Sequence, residues 1–416
     1  MRVAIVGTGI SGLVAAHLFS REHDVTAFEA GDYAGGHTHT VTADLGDGPR
    51  RVDTGFIVFN YRTYPNFTRL LAHLGVPSQD SSMSFSVRCE RTGLEWASHS
   101  ARALFAQRRN ALRPRFWRML ADIARFNREA PRLLERPGGE LTVRDYLGRS
   151  GMSRAFAEHY LIPMGAAIWS CPPEQFYAFP MRFLVRFMAN HGMLSVLSQP
   201  VWRVVEGGSA SYVTALLDRF RGTLRLSTPV AAVRRFPDHV AVVTADGRAE
   251  DFDQVIFACH SDQALATLED ASPLEREVLS AFPYQQNDVV LHTDTSVLPT
   301  RRAAWSSWNY FIPDDDRAVV TLTYNMNILQ SLDAPAVACV TVNDEKRIDP
   351  AAIIRRIRYH HPVYTVDSPR YQAMHRQLIA RDRTSFCGAY WGFGFHEDGV
   401  KSALAVGRAF GLTLTP

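Results

Sequence analysis

The chain has 416 residues, of which 46% are hydrophobic and 21% are charged, and this length and balance predict a globular protein with two packed lobes. Its net charge of +3 gives no indication of a nucleic-acid partner, and no apolar run is long enough to cross a bilayer. The five cysteines are scattered without a CxxC pair, so we expect neither a disulfide framework nor a metal site. A strand-like segment follows Met1 directly, which leaves no room for a signal peptide and favours the cytoplasm.

Residues 3–6 form a short, uncharged run rich in β-branched residues, which predicts a buried parallel strand. The glycine-rich sequence after it is Gly7-Thr8-Gly9-Ile10-Ser11-Gly12, and a helical pattern continues from there. In a dinucleotide-binding unit the first glycine makes the tight turn, the second lets a pyrophosphate approach the backbone, and the third lets helix and strand pack closely. The free N–H groups at the helix N-terminus then bind the phosphates.

Residues 24–28 predict a second strand, and Glu29 stands at its end. A carboxylate in this position accepts hydrogen bonds from the ribose hydroxyl groups of an adenosine. A GxGxxG sequence alone is weak evidence, because glycine-rich turns also occur in unrelated α/β proteins. The strand, the helix and Glu29 together favour a dinucleotide site, with FAD and NAD both open at this point.

Two segments after Glu29 resemble those of flavin amine oxidases and phytoene-desaturase-like enzymes. The first runs from Ala30 to Gly35-Gly36-His37, and the second is Asp53-Thr54-Gly55. The resemblance implies that both segments pass along a bound FAD.

Two later strands resemble the same superfamily. Residues 228–233 are similar to the strand in which the backbone of Val230 would meet the adenine. Residues 253–259 are similar to the strand that returns to the nucleotide domain, ending at Cys259.

The end of the chain resembles the closing motif of the superfamily. It comprises residues 386–390, with Gly388, and residues 392–400, with Gly399 and Val400. The resemblance implies a last helix aimed at the flavin, whose N-terminus would stabilise negative charge on the reduced cofactor. This ending favours FAD over NAD.

The nearest resemblance is to predicted NAD/FAD-binding proteins associated with cyclopropane-fatty-acyl synthase-like methyltransferases. The matching segments are spread along the chain, over residues 53–60, 63–67, 83–87 and 394–399. The association implies a fatty-acyl or other long apolar substrate.

The resemblance predicts an α/β fold in which a discontinuous Rossmann-like FAD-binding domain carries an inserted α+β substrate domain of the amine-oxidase type. The FAD-binding domain is expected over residues 1–75, 205–290 and 380–416, and the substrate domain over residues 76–204 and 291–379. Within the first of these, Asp246-Gly247 predicts a hairpin turn between strand Val240–Thr244 and the strand ending at Cys259.

The first insert carries a basic segment, with ten arginines against three acidic residues between Arg102 and Arg136. On a helical wheel its apolar residues share one face and its arginines lie opposite, and Pro131 should kink or end the helix. The apolar face is Phe116, Leu120, Ile123, Ala130 and Leu134, and the basic face is Arg118, Arg125, Arg132 and Arg136. A helix over residues 115–136 of this kind can rest on anionic lipid at the inner face of a membrane, or simply present a solvated arginine face.

Residues 176–188 are dense in aromatic residues and methionine, which occur both in channels for long apolar substrates and in ordinary cores. For this segment alone a core is favoured. Further aromatic residues in the inserts favour an apolar small-molecule substrate, and they are Trp169, Trp202, Trp305, Trp308 and Tyr310.

Candidates for the flavin face are His37, Asn60, Trp308, Tyr310, Tyr324, Trp391, His396 and Glu397. We predict His396, Glu397 and Tyr310 as catalytic residues. His396 and Glu397 come just before the segment that would touch the flavin, where either side chain can act as a general base. The alternative for His396 is a structural hydrogen bond or a helix cap.

Many flavin amine oxidases use a lysine beside the flavin, but residues 285–330 contain none. This departure favours an FAD-dependent oxidoreductase that oxidises or desaturates a fatty-acyl or other apolar chain by hydride transfer to flavin N5. An amine oxidase, and a non-catalytic flavoprotein that binds lipid or a protein partner, are the alternatives.

Overall fold

A five-stranded parallel sheet carries the nucleotide motif. In the computed structural model, which describes residues 1–135, 141–195, 199–314 and 320–414, its strands lie in the order Thr384–Phe386, Gln254–Phe257, Arg2–Val6, Asp24–Phe28 and Thr223–Arg225. Strand Arg2–Val6 is buried after its first residue, because it is the central strand and helix Ile10–Phe19 covers it. Helix His396–Ala409 packs on Ile10–Phe19. The predicted α/β fold with a Rossmann-like unit is confirmed.

The second large sheet is mixed and has seven strands. Their order is Ile353–Pro362, Tyr284–His292, Cys339–Val342, Leu322–Asn325, Trp308–Ile312, Phe85–Cys89 and Leu94–Ala97. Neighbouring strands are antiparallel except for Trp308–Ile312 and Phe85–Cys89, which are parallel. The predicted domain boundary at residue 290 falls inside strand Tyr284–His292, which pairs along its whole length in this sheet. A boundary in this region therefore belongs before Tyr284, and the other boundaries stay predictions.

The smaller sheets are antiparallel. They pair Thr40–Asp44 with Pro49–Asp53, Ser78–Ser81 with Trp202–Val205, and Val240–Thr244 with both Val230–Arg235 and Ala249–Phe252. The predicted turn at Gly247 is present, with a φ of +84°, but the prediction of its second strand was wrong. The chain leaves this hairpin at Asp253, whose carboxylate accepts the backbone N–H of Arg2 at 2.7 Å. It then enters the parallel sheet as a separate strand.

Helices occupy much of the first insert and cover the parallel sheet. The α-helices are Ile10–Phe19, Pro65–Leu74, Ala101–Leu104, Pro114–Glu129, Arg132–Glu135, Val143–Ser150, Arg154–Phe156, Ile162–Trp169, Pro173–Tyr177, Met181–Asn190, Ala210–Leu217, Ser261–Thr267, Pro273–Leu279, Met326–Leu329, Ser368–Gln372 and His396–Ala409. Within the described ranges, none of them has the length and apolar character needed to cross a membrane.

The arginine-rich helix is interrupted at Pro131, as predicted: one helix ends at Glu129 and a short one begins at Arg132. The buried side chains of the first helix are Phe116, Met119, Asp122 and Phe126. The buried face is therefore rotated from the predicted one, since Leu120, Ile123 and Leu134 are only half-buried. The predicted Arg136 lies outside the described residues.

The aromatic segment 176–188 is core, which confirms that interpretation. Phe176, Phe179 and Leu184 have no exposed surface. The ring centroid of Trp169 lies 4.5 Å from that of Phe179, so the segment packs behind this tryptophan.

Candidate functional site

One large cavity is lined by residues that follow strands of the parallel sheet and by residues of the seven-stranded sheet. The predicted cofactor residues that line it are Gly7, Gly9, Ile10, Ser11, Glu29, Gly35, Gly36, His37, Gly55, Cys259 and Gly388. The fold thus brings together residues that are widely separated in the chain. The other predicted cofactor residues lie outside the lining, and they are Gly12, Ala30, Thr54, Val230, Gly399 and Val400.

The three glycines of the motif have different surroundings. Gly7 has a φ of +97°, and a Cβ there would lie 3.0 Å from the carbonyl oxygen of Ala258. A Cβ on Gly12 would lie 1.9 Å from the carbonyl oxygen of Gly7, so only glycine allows the helix this close to the turn. A Cβ on Gly9 would meet no protein atom within 4 Å. It would project into open space instead.

Two predicted cofactor residues outside the lining support its walls. The hydroxyl of Ser11 donates to the carbonyl oxygen of Gly399 at 3.1 Å, and a Cβ on Gly399 would lie 2.7 Å from the side chain of Ile10. The last helix is therefore fastened directly to the nucleotide motif. The hydroxyl of Thr54 lies 3.0 Å from that of Tyr359, which fixes a strand of the second sheet against the same region.

One end of the cavity, which we call the nucleotide end, is formed by residues 7–11, Glu29 and 35–37, and it fits the adenosine diphosphate half of FAD. The carboxylate of Glu29 accepts hydrogen bonds from the N–H of Thr8 (2.9 Å), the hydroxyl of Thr8 (2.5 Å) and the N–H of Gly31 (2.9 Å). The N-terminus of helix Ile10–Phe19 has no side-chain cap and no acidic residue in its first turn. A carboxylate for the ribose, free helix N–H groups for the phosphates and open space at Gly9 are the parts such a group needs.

The rest of the cavity is predominantly apolar. Its lining there includes Phe56, Ile57, Val58, Ile168, Trp169, Trp308, Tyr324, Pro362 and Phe395. Trp308 and Tyr324 face each other on paired strands, with ring centroids 5.2 Å apart and planes at 86°. The indole N–H of Trp308 is buried and has no hydrogen-bond partner among the described residues.

The lining also contains five histidines, which are His37, His260, His360, His361 and His396. Burial, followed by neighbouring histidines, lowers the pKa of His37 and of His361 to about 3, and that of His260 to about 4. The rings of His37 and His361 have centroids 5.1 Å apart. No cluster of His, Cys, Asp or Glu in the described ranges is arranged to hold a metal ion. Sequence reasoning missed His260, His360 and His361, and the adjacent pair in the sequence was the available signal.

His396 lines the cavity, but its ring is held by the protein. Its Nε2 lies 2.9 Å from the hydroxyl of Tyr212 and 3.0 Å from that of Thr38, and its ring stacks on Phe56 with centroids 3.5 Å apart. Burial lowers the pKa of His396 well below 6.5. This arrangement fixes Phe56 in the cavity wall and keeps the imidazole uncharged.

The structure does not bring Glu397 or Tyr310 to the cavity, which corrects their predicted position at the flavin face. The carboxylate of Glu397 accepts the backbone N–H groups of Asn66 (3.1 Å) and Phe67 (3.0 Å), and so caps helix Pro65–Leu74. Tyr310 is buried in the core beside Phe85. Of the remaining candidates, Trp308 and Tyr324 line the cavity, whereas Asn60 and Trp391 do not.

Comparison with known proteins gives one matching family and several similar structures. Residues 10–322 match the sequence model of the family described as flavin containing amine oxidoreductase. Similar structures include a CLA-producing fatty acid isomerase from P. acnes (16% identity, TM-score 0.68), cyclohexylamine oxidase from Brevibacterium oxydans IH-35A (15%, 0.68) and putrescine oxidase bound to putrescine (14%, 0.70). The first comparison covers 98% of each chain, and the other two cover 99% of each. No curated protein matches this chain.

Proposed function

This chain belongs to the family of flavin-containing amine oxidoreductases, and from that premise we propose that it oxidises or desaturates an uncharged, apolar substrate such as a fatty-acyl chain. The protein is an FAD-dependent oxidoreductase. When bound, FAD supplies the acceptor of a hydride, at N5. The groups suited to hold its adenosine diphosphate half are the backbone at Gly9, the N–H groups at the start of helix Ile10–Phe19 and the carboxylate of Glu29.

The main support for this proposal is the scarcity of charged side chains in the described cavity wall. Among the described residues of the lining, Glu29 is the only Asp, Glu, Lys or Arg, and it belongs to the nucleotide motif. The lowered pKa values keep His37, His260 and His361 uncharged near neutral pH. A charged substrate in the apolar part would lose its hydration without gaining an ionic partner.

For an uncharged alkyl chain, by contrast, burial in the apolar part is favourable. Each CH₂ group that it buries against walls such as Ile168 and Trp169 contributes roughly 0.8 kcal/mol to binding. The aromatic side chains also exclude water from the space that the chain would occupy. One of the similar structures is a fatty acid isomerase, so a protein of this fold accepts the alkyl chain of a fatty acid.

Amine oxidation is the alternative, because two of the similar structures are amine oxidases. An alkylammonium group would find no carboxylate in the apolar part of the described lining. The chain has only two lysines, Lys346 and Lys401, and neither lines the cavity. Both observations favour the acyl substrate.

The test is anaerobic bleaching of the flavin absorbance by fractions of a lipid extract and by a panel of amines. We expect neutral lipid or acyl-ester fractions to bleach the flavin, and mass spectrometry to find a product that has lost two hydrogen atoms. Bleaching by amines alone would refute the acyl substrate. It would leave the assignment of an FAD-dependent oxidoreductase intact.

A further inference from the structure

A basic segment with exposed apolar side chains comprises the turn before helix Pro114–Glu129 and the first residues of that helix. We call residues 108–117 the basic tip, and we propose that it docks the protein on the surface of an anionic membrane. In the tip, Leu112 is 86% exposed and Trp117 is 51% exposed. The indole N–H of Trp117 donates to the carbonyl oxygen of Ala111 at 2.9 Å, so the two apolar side chains are presented from one ordered turn.

The tip carries positive charge that the protein does not neutralise. The sequence contains no acidic residue between Glu95 and Asp122, but it contains six arginines there, which are Arg102, Arg108, Arg109, Arg113, Arg115 and Arg118. Arg109 donates to a backbone carbonyl, at Gly93 (2.9 Å), rather than to a carboxylate. Across the ranges that the structure covers, no carboxylate forms an ion pair with Arg108, Arg109, Arg113 or Arg115.

The helix beyond the tip differs in this respect. Arg118 pairs with Asp122 at 3.2 Å, and Arg125 pairs with Glu129 at 3.0 Å. Arg128 also reaches Glu129, at 3.6 Å. Carboxylates therefore largely balance the arginines of the helix beyond the tip. The surface suited to anionic lipid is the tip and not the length of the helix.

The combination of side chains selects a membrane as the partner. Arginines attract the phosphates of anionic lipids, and a leucine and a tryptophan beside them enter the boundary between headgroups and acyl chains. A nucleic acid offers phosphates but no apolar layer for Leu112. Two exposed apolar side chains are also too few for a stable protein interface, which buries about 800 Å² on each partner.

The test is flotation of the FAD-loaded protein with vesicles of phosphatidylcholine, alone or mixed with phosphatidylglycerol. We expect binding to the mixed vesicles only, weakening as salt shortens the screening length from about 10 Å at 0.1 M to about 3 Å at 1 M. The triple variant Arg108→Gln/Arg109→Gln/Arg115→Gln should bind at least about tenfold more weakly, since each arginine near the surface contributes about fivefold. The double variant Leu112→Ser/Trp117→Ser should also lose binding.

The matched control removes the same charge from the helix and from the short helix that follows it, as Arg125→Gln/Arg128→Gln/Arg132→Gln, and should bind as the parent does. Flavin absorbance and melting temperature report whether each variant is folded. If the double variant does not fold, the single variant Leu112→Ser replaces it, because Leu112 is 86% exposed. Equal loss in tip and helix variants, equal binding to both vesicle types, or no binding by the parent protein would overturn the proposal. Binding of the protein to a nucleic acid in a gel-shift assay, without binding to vesicles, would also overturn it.

Discussion

The two parts of the cavity are built from different components of the polypeptide. The nucleotide end consists of backbone, glycines and one carboxylate, mostly from residues 7–11 and 35–37. The apolar part consists of side chains from distant segments, such as Phe56, Trp169 and Trp308. In a site made of backbone, an added side chain takes the space of the bound group itself, whereas a wall of side chains tolerates changes of volume by degrees. Substitutions should therefore act in an all-or-none manner at one end and in a graded manner at the other.

The largest effect is expected at Gly9. Its φ of −63° suits any residue, and the new side chain in Gly9→Val would meet open space rather than protein. The variant should fold like FAD-free parent protein but purify without flavin, which absorbance and melting curves will show. Gly12→Val is the control that should fail to fold, because its Cβ would lie 1.9 Å from the carbonyl oxygen of Gly7. A yellow Gly9→Val protein with full FAD content would contradict this account of the nucleotide end.

At the apolar end, Ile168→Asp should keep its FAD and lose turnover. The new carboxylate would have to remain unpaired beside the substrate chain, so kcat/KM for the substrate that bleaches the flavin should fall by at least about tenfold. Ile168→Val keeps the wall apolar and should stay within about threefold. Loss of flavin from Ile168→Asp would show that the two parts of the cavity are not separable in this way.

The ring of His396 contacts Phe56 of the apolar part and Thr38, which follows residues 35–37 of the nucleotide end, and we expect it to be a positioning residue. His396→Gln should lower the melting temperature, because the ring stacks on Phe56 and bonds Tyr212 and Thr38. Stopped-flow reduction of the FAD-loaded variant should remain within a few-fold of the parent rate. A fall of about 10²–10⁴-fold, together with loss of one limb of the pH–rate profile, would instead identify His396 as a general base.

The smallest expected effect is a dependence of stability on pH. Burial lowers the pKa of His260 to about 4 and that of His361 to about 3, so the unfolded chain binds these protons more readily than the folded protein does. Stability should therefore be full above about pH 6.5 and decline as the pH falls toward 4. Melting temperatures across this range should decline less steeply for His361→Gln. Identical slopes for variant and parent would contradict the burial of an uncharged imidazole.

The nucleotide end could be predicted from sequence because its parts are consecutive. The glycines, the helix start and Glu29 position one another through local backbone geometry, and the break at Pro131 follows equally from a local property of proline. The hairpin at Gly247 shows the limit, since its turn was predictable but the transfer of the chain to the other sheet at Asp253 was not.

The apolar part depends on which strands become neighbours. Trp308 and Tyr324 reach the cavity because their strands pair, whereas Tyr310, in the same strand as Trp308, lies in the core. Glu397 follows His396 directly but turns to cap a different helix, because successive helical side chains point in different directions. Neither outcome can be derived from spacing along the chain.

The most direct test of the proposed uncharged substrate compares two compounds with alkyl chains of the same length, one carrying a neutral ester and the other an ammonium group. Anaerobic stopped-flow reduction of the bound FAD by the two compounds measures what the apolar part accepts. We expect the ester to reduce the flavin and the ammonium compound to do so at least about tenfold more slowly, because the described lining offers no carboxylate there. Faster reduction by the ammonium compound would contradict the account and make the protein an amine oxidase.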